Sequence, residues 1–467
     1  MSEKELIPLL IYMGGALVFA LILVAVQAAF LEFELRMGRW LLPLIMPLLL
    51  LGIGFSTLLA GRSLKYAAMN IGGIGSNAGG GDNLMRMITA LVLAISISKI
   101  VRALFSVTSV AKLENSAEPG VSKFVFVSFL AFFFCTVIFP SALGAHPTFV
   151  HNAVYPVILF SAAYFSRKEP IELLIQWAKT GLFIFLFCSL ALALIKPDMV
   201  LQPAYQGWVP ALNVRLWGLG AHANSIGPLA LFLILLQVLR PSPNRGFGLL
   251  IWFTALIVLV LAQSKTVWLS GILVALIIAA YRGGREPGGG IKPSFMLGLI
   301  GLMLLACLSL LFVDIDRLLL KLSLTQAGSD ISTLTGRSSI WAVAMQVFAA
   351  SPVFGYGLEA WGPAHRIQIG MPFAFHAHNQ LLQTMSVAGA VGGLSLLVYF
   401  FAILKAAWRA APRTGGVSLG LVLFIAIRCV GEAPLELTGF FVGELVLHFF
   451  LFALLVHEPA QKREGCQ

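Results

Sequence analysis

The chain has 467 residues, a length that in a water-soluble protein would correspond to about three domains. Hydrophobic residues make up 59% of it and charged residues only 11%, with a mean hydropathy of +0.93, against roughly 45–50% and about 25% in soluble domains. No compact fold in water hides that much apolar surface, so the solvent is lipid. Lys and Arg (31) exceed Asp and Glu (20), giving a net charge of +11. In so apolar a chain the excess marks cytoplasmic loops and anionic head groups rather than nucleic-acid binding.

A membrane-crossing helix needs about 20 mainly apolar residues. That ruler picks out Leu6–Leu31, Leu41–Ala60, Leu84–Phe105, Val121–Leu143, Phe149–Phe165, Ile171–Ile195, Val214–Leu239, Phe247–Ala262, Thr266–Tyr281, Phe295–Val313, Asn379–Ala407, Gly416–Val430 and Phe440–Val456. The expected class is an all-α polytopic membrane protein with about 12–13 spans. The organisation reads as amino-terminal spans over 1–213, central spans over 214–313, a long loop over 314–378, and carboxy-terminal spans over 379–467. The amino terminus, Met1 to Glu5, is too acidic for a secretory leader, so the first apolar run reads as a retained anchor.

The loops set the orientation. Arg167-Lys168, Arg240–Arg245, Arg282–Lys292, Lys405–Arg413 and Lys462-Arg463 carry the basic excess expected of cytoplasmic loops, and their parity agrees. Lys196–Asn213, Ser264-Lys265, Asp314–His378 and Gly431–Gly439 then lie on the other side. Counting back from Arg167 puts the amino terminus outside, so one misread span is expected in the first hundred residues, near the glycine-rich stretch Gly61–Asn83. In the long loop, Ile340, Val343, Ala344, Val347 and Phe348 recur at helical spacing until Ser351-Pro352, and Gly355-Tyr356-Gly357 forms a turn.

Ionisable groups at a membrane edge are costly and usually serve a site. Arg215, Lys265, Arg337 and the pair His376/His378 all fall at helix ends or in the loop of the outer, non-basic side. Singly, each reads most simply as a cation snorkelling to head groups. Together they run against the charge bias of that side and suit a phosphate or diphosphate, which arginine grips with forked hydrogen bonds and lysine as a point charge. A histidine beside them can take a proton from an incoming hydroxyl.

Other polar groups have plainer readings. Arg428 and Glu432, four apart, are expected to neutralise one another, with a part in acceptor binding as the minor alternative. His146, His151, and His222 with Asn224 inside a helix read as packing or head-group contacts. Asp314 and Asp316 read as a helix end rather than a metal motif. His376 and His378 lack a third ligand at helical spacing, so no metal is expected. Asn379 either orients an imidazole or caps the following helix. Tyr356, Trp361 and Trp208 either stack on sugars or anchor at the interface. Five cysteines, with no C-x-x-C, support neither a disulfide framework nor zinc.

Arg215-Leu-Trp-Gly-Leu-Gly-Ala-His-Ala-Asn224, Ser264-Lys-Thr-Val-Trp268, Gly336-Arg337 followed by Pro352-Val-Phe-Gly-Tyr-Gly357, and His376-Ala-His-Asn-Gln-Leu-Leu382 running to Gly389 and Gly392-Gly393 resemble the O-antigen ligase and O-antigen polymerase superfamily. The resemblance covers about Arg215 to Gly393. It implies a GT-C-like inner-membrane enzyme with a large, partly helical periplasmic loop and an active site facing the periplasm. The implied reaction is an inverting, metal-independent, cofactor-free transfer of a glycan from undecaprenyl diphosphate to a saccharide acceptor, lipid A-core foremost. In the family pattern His378 falls on the general base, and Arg215 and Arg337 on the diphosphate-binding arginines. Lys265 stands where an arginine or similar cation is expected, and His376, Asn379 and Tyr356 are supporting residues. A chain-elongating polymerase or an O-linked protein glycosylation ligase would share these motifs. A transporter of lipid-linked glycans would instead spread its cations through the membrane depth and show internal pseudo-symmetry, and neither is seen.

Overall fold

The computed structural model describes residues 27–29, 31, 32, 36, 38–65, 82–110, 120–205, 207, 209, 212–283, 337–437 and 439–458. The expected spans Leu6–Leu31 (in most of its length) and Phe295–Val313, the pair Asp314/Asp316 and Trp208 lie outside these. The rest is nearly all helix: α1 Gly38–Leu59, α2 Asp82–Val110, α3 Gly120–Leu143, α4 Tyr155–Phe165, α5 Ile171–Ile195, α6 Ala223–Leu239, α7 Arg245–Ala262, α8 Lys265–Gly283, α9 Arg337–Ala350, α10 Gln380–Thr414, α11 Val417–Gly431 and α12 Gly443–Val456. Seven of the described helices (α1, α2, α3, α5, α7, α8 and α10) are long and apolar enough to cross a membrane; α6, α11 and α12 are shorter apolar helices. The all-α polytopic membrane class is therefore the observed one. Helix α12 is the centre, with Leu445 through Val456 buried throughout.

Side-chain contacts sort the helix ends onto two faces. On one face Arg282 reaches the carbonyls of Gly415 and Val238, Lys179 that of Arg240, Arg413 that of Leu454, and Arg167 pairs with Glu458. Arg282, Lys179 and Arg413 cap carbonyls left bare at helix ends, the place where a cation is most favourable. On the other face lie the starts of α6, α8, α9, α10 and α12 and the ends of α7 and α11. Helices α1 and α2 join the same alternation, since Lys99 of α2 bonds the Gly38 carbonyl and pairs with Glu169 beside Arg167. The stretch in which a misread span was expected, Gly61–Asn83, lies mostly outside the described residues.

The expected span Val214–Leu239 is corrected. Val214–Leu216 is a strand, β2, paired antiparallel with β1, Leu201–Pro203, and α6 starts only at Ala223. Gly218, with φ +57, breaks any helix here. The carbonyls freed in this irregular stretch need donors. Arg62, just past α1, supplies them, bonding the oxygens of Met199 (3.1 Å), Gly218 (2.6 Å), Gly220 (2.8 Å) and Ala221 (3.2 Å), while Thr57 Oγ1 donates to Leu219 O.

Helix α10 is broken at Gly389, whose φ of +64 lies in the left-handed region. The loop Ser351–Gly357 fills the break. Tyr356 N and Gly357 N donate to the oxygens of Ser386 and Val387 (both 3.0 Å), and Ala390 N and Val391 N donate to those of Pro352 (2.7 Å) and Val353 (3.2 Å). Interrupted helices are tolerated at membrane depth when the freed backbone groups are paired again in this way. A Cβ on Gly389 would collide with the Val353 carbonyl, and one on Gly355, φ +72, with the backbone of Val387 and Ala388.

Gly389→Ala is therefore expected to lower the thermal unfolding midpoint in detergent, at a cost of about 1–3 kcal/mol or more. Gly393→Ala, in regular helix one turn further on, is the comparison and is expected to be tolerated. Equal midpoints for the two variants would refute the account of the break.

Candidate functional site

Arg428 and Glu432 do not pair. Helix α11 ends at Gly431, and Glu432 continues in extended conformation (φ −149, ψ 179), so the four-residue spacing no longer places the two side chains on one helical face. Arg428, 2% exposed, turns to Glu444 in the first turn of α12 (Nη2 to Oε1, 2.8 Å) and to the Asn224 carbonyl (3.0 Å). Glu432 is left to gather groups from three other segments.

Its Oε1 accepts from Arg337 Nη2 (3.2 Å) and Asn224 Nδ2 (3.1 Å); its Oε2 faces His378 Nδ1 (3.1 Å) and His376 Nε2 (3.5 Å). Arg337 opens α9, and its Nη1 packs on Gly431, where a Cβ would stand 2.7 Å away. Asn224 in turn accepts from Arg215 Nη2 (2.9 Å) and lies 3.5 Å from Ser264 Oγ. Arg215 sits on β2 opposite Gln202 rather than at the end of a span. Its Nε donates to Ala262 O at the end of α7 (3.0 Å), and its guanidinium lies over the Tyr205 ring. One chain of hydrogen bonds thus runs from Arg215 through Asn224 to Glu432, and from there to Arg337 and His378. Lys265 begins α8 directly after Ser264.

Burial and charge fix the protonation of this cluster. Burial opposes ionisation of Glu432, but the hydrogen bond and charge of His378, with His376 and Arg428 behind it, prevail and hold the carboxyl down to about 2. Burial, with His378 alongside, pushes His376 down to about 4. His222, the N-cap of α6, is likewise pushed down to about 4 by burial and then by Arg215. Arg215 is lowered from its ordinary value by burial, with Tyr205 and Glu432 opposing. His376 Nδ1 accepts from the backbone N–H of His378 (3.1 Å), which assigns its proton to Nε2. His378 faces the carboxylate through Nδ1, which assigns that proton to Nδ1 and leaves the Nε2 lone pair free. His378 also has φ +48, a left-handed conformation of the kind that collects at functional sites.

The remaining expected residues are placed differently. Asn379 caps α10, accepting from Leu382 N (3.1 Å), and its Nδ2 reaches Val430 O; the imidazole is oriented by Glu432 instead. Tyr356 is stacked between His146 (ring centroids 4.2 Å apart) and His365 (3.7 Å). Trp361 is buried and donates to Ser386 Oγ, so it forms core rather than a sugar platform. His222 and Asn224 stand at the start of α6, not turns inside it. Asn224 and Glu432 are the two members of the cluster whose roles read more plainly from sequence alone. The helix-ending Gly431-Glu432-Ala433-Pro434 was the available signal, because a helix stop cancels the spacing rule.

Histidines 376 and 378 do acquire a third potential ligand from afar. One ligand atom each of His376, His378 and Glu432 lies within 4.8 Å of the others. The donor set fits a cation poorly, however. Arg337 already occupies the carboxylate, and Arg215 and Arg428 stand close behind, so the surroundings repel positive charge and suit an anion.

Residues 250–397 match a family model described as O-antigen ligase. No curated protein matches the chain. The matched stretch contains Lys265, Arg337, His376 and His378, and is the superfamily that the sequence resembles; Arg215, Asn224 and Glu432 lie outside it. The match supports a glycosyltransferase of ligase or polymerase type in a membrane.

The two neutral imidazoles make stability depend on pH. Between about pH 4 and the ordinary histidine value of 6.5, the unfolded chain binds protons at His222 and His376 that the fold excludes. Stability is therefore present above 6.5 and is lost as pH falls toward 4, by up to about 3 kcal/mol for each group. His222→Asn keeps an N-cap acceptor and is expected to flatten the fall of the unfolding midpoint over that interval. An unchanged slope would refute the assignment.

Proposed function

We propose that the chain transfers a polysaccharide from undecaprenyl diphosphate to a saccharide acceptor, lipid A-core foremost, at the periplasmic face of the bacterial inner membrane. The observation that carries the reading is the hydrogen-bonded chain Arg215–Asn224–Glu432 with Arg337 and His378 attached, at the helix ends opposite the basic face. By the positive-inside bias basic ends face the cytoplasm, which supports a periplasmic position for the cluster.

The geometry supports a division of labour. Arg337 and Arg215 spend part of their donors on Glu432, Asn224 and the Ala262 carbonyl. Each guanidinium carries five N–H groups, so donors remain for diphosphate oxygens, and Lys265 adds a point charge at the mouth of α8. As the bond from the anomeric carbon to the diphosphate oxygen breaks, the charge grows on that oxygen and the cations stabilise it. The free Nε2 of His378 takes the proton of the acceptor hydroxyl while the oxygen attacks from the opposite face, inverting the centre. Glu432 keeps the proton on Nδ1 and stabilises the imidazolium that forms, as the acid does in a Ser-His-Asp triad. His376 and Asn379 hold the segment that presents His378. A polymerase would use a second lipid-linked glycan as acceptor in the same scheme.

His378→Ala is expected to reduce glycan transfer by about 10²–10⁴-fold without loss of folded protein. Arg337→Lys keeps the charge but loses the fork and is expected to raise the donor KM. The assay is purified enzyme with a lipid-diphosphate glycan and either lipid A-core or a second donor molecule, and the product separates ligation from polymerisation. A chelator is expected to leave the rate unchanged. Parental rates in His378→Ala would remove the base assignment, and loss to chelator restored by zinc would convert the His376–His378–Glu432 group into a metal site.

A further inference from the structure

Two buried amides stand behind the cluster, on the first turns of α10. Gln380 and Gln383 are 2% and 4% exposed, too deep to meet a substrate. Three residues apart, they share one face of the helix. Gln383 Oε1 accepts from Ala377 N (2.8 Å), the peptide between the two histidines, and its Nε2 donates to Glu436 Oε1 (3.3 Å). Gln380 Oε1 accepts from Leu435 N (2.7 Å), three residues past Glu432, and its Nε2 donates to Thr384 Oγ1 (3.1 Å). The partners fix which way each amide points. A carboxylate only accepts, so Glu436 takes the Nε2 of Gln383 and leaves Oε1 for Ala377. The Thr384 hydroxyl gives its proton to Gln380 O (2.8 Å), so it too takes an Nε2 and leaves the Gln380 oxygen for Leu435.

What the amides hold are the two segments that bring His378 and Glu432 together. Ala377 and Leu435 are fully buried, so neither N–H can turn to water if its acceptor is removed. The histidine segment needs such an anchor, because His378 keeps a left-handed backbone (φ +48) that a non-glycine residue adopts only when its surroundings impose it. The bond from His378 N to His376 Nδ1 lies within that segment and ties it to nothing else. The bond from Ala377 N to Gln383 ties it to a helix. Gln380 does the same for the irregular stretch that follows α11. The contact of His378 Nδ1 with Glu432 Oε2 (3.1 Å) is therefore set from α10, to which both segments are fastened.

We infer that Gln383 is a positioning residue for the transfer: by holding the Ala377 peptide against α10 it aims the Nε2 of His378 at the acceptor hydroxyl, while Gln380 fastens the segment of Glu432 to the same helix face. The inference rests on the proposed function for the part of His378 as base, and it adds the residue that aims the base. It carries an asymmetry. Donor binding falls to Arg215 and Arg337, which Gln383 does not touch, so its loss misdirects the proton transfer and leaves the grip on the diphosphate in place.

Gln383→Met keeps the length of the side chain and removes the acceptor. Per folded protein, it is expected to lower kcat by about 10²-fold, the scale of a misplacement near 1 Å, with the donor KM unchanged. Ser395→Ala removes another buried hydrogen bond of α10, to the Gly392 carbonyl, and is expected to keep the parental kcat. The decisive arm is a double-mutant cycle. A residue that acts through His378 has nothing left to aim in His378→Ala, so adding Gln383→Met there is expected to leave the residual rate as it is. A parental kcat in Gln383→Met, an equal fall in Ser395→Ala, or a further fall of the same size in the His378→Ala background would each overturn the inference.

Hydrogen exchange of the full chain in detergent reads the clamp without any transfer. The amides of residues 374–380 are expected to be protected in the parent and to exchange faster in Gln383→Met, while the rest of α10 keeps its protection. Unchanged protection in the variant would remove the clamp, and the inference with it. Loss of protection in a protein whose parent transfers no glycan would uphold the clamp and remove the transfer reading instead.

Discussion

The carboxylate of Glu432 is the constraint on which the arrangement of this face depends. A buried charge is tolerated only when paired and hydrogen-bonded, and its four neighbours arrive from three distant stretches of sequence: Asn224, Arg337, and His376 with His378. Removing it would leave Arg337 uncompensated near Arg215 and Arg428, the situation in which breaking a buried pair is most damaging. Glu432 therefore organises the cluster by determining where the cations must stand. It also determines which nitrogen of His378 is turned away from the carboxylate. Coupling of this kind would make single substitutions among these residues strongly non-additive, since each removes a partner from several others.

The same face is where the helices give up regularity. The break at Gly389, the left-handed His378, the short pairing of β1 with β2 and the glycine stretch before α6 all lie there. Each exposes backbone groups that lipid cannot satisfy, and each has an identified donor or acceptor: the Ser351–Gly357 loop for the first, Arg62 for the last. The opposite face has helix ends closed by arginine and lysine on carbonyls. Rigid helices thus carry the cluster, while irregular backbone shapes it. That division suits a site that must hold groups to a fraction of an ångström within a membrane.

Much of the architecture was legible because lipid imposes a simple rule. Ile171–Ile195 runs over the same residues in the sequence reading and in the fold, and α7, α8, α10, α11 and α12 start or stop within a few residues of the apolar runs. The rule misled at Val214–Leu239, where hydropathy alone could not register that Gly218 adopts a left-handed turn and that Arg62 lies waiting for its carbonyls. It was equally silent on Glu432. Spacing coupled it to Arg428, but spacing holds only within a helix, and Gly431 ends α11. Arg215, Arg337 and His378 were assigned to one side from loop charge; that they join through Asn224 and Glu432 depends on contacts between segments up to 208 residues apart, which no local pattern encodes.

The charge balance of the cluster bears on what it can do. Two imidazoles and a carboxylate within 4.8 Å resemble a zinc site when counted as ligands alone. Their hydrogen bonds lead elsewhere. His376 Nδ1 is engaged by the backbone and its proton points at Glu432; His378 directs its own proton at the same oxygen; and Arg337 holds the other. A divalent cation would have to displace both protons and stand against three guanidinium groups. An anion needs none of these changes, because it would find arginine donors still open and would add negative charge where positive charge is in excess. Burial holds His376 well below the ordinary histidine value, while His378 directs Nδ1 at Glu432 and so turns Nε2 away from it, the position from which a neutral imidazole can accept a proton. Under the proposed function, the cluster would serve two events at once: the gathering of negative charge on its cations and the removal of a proton by its histidine.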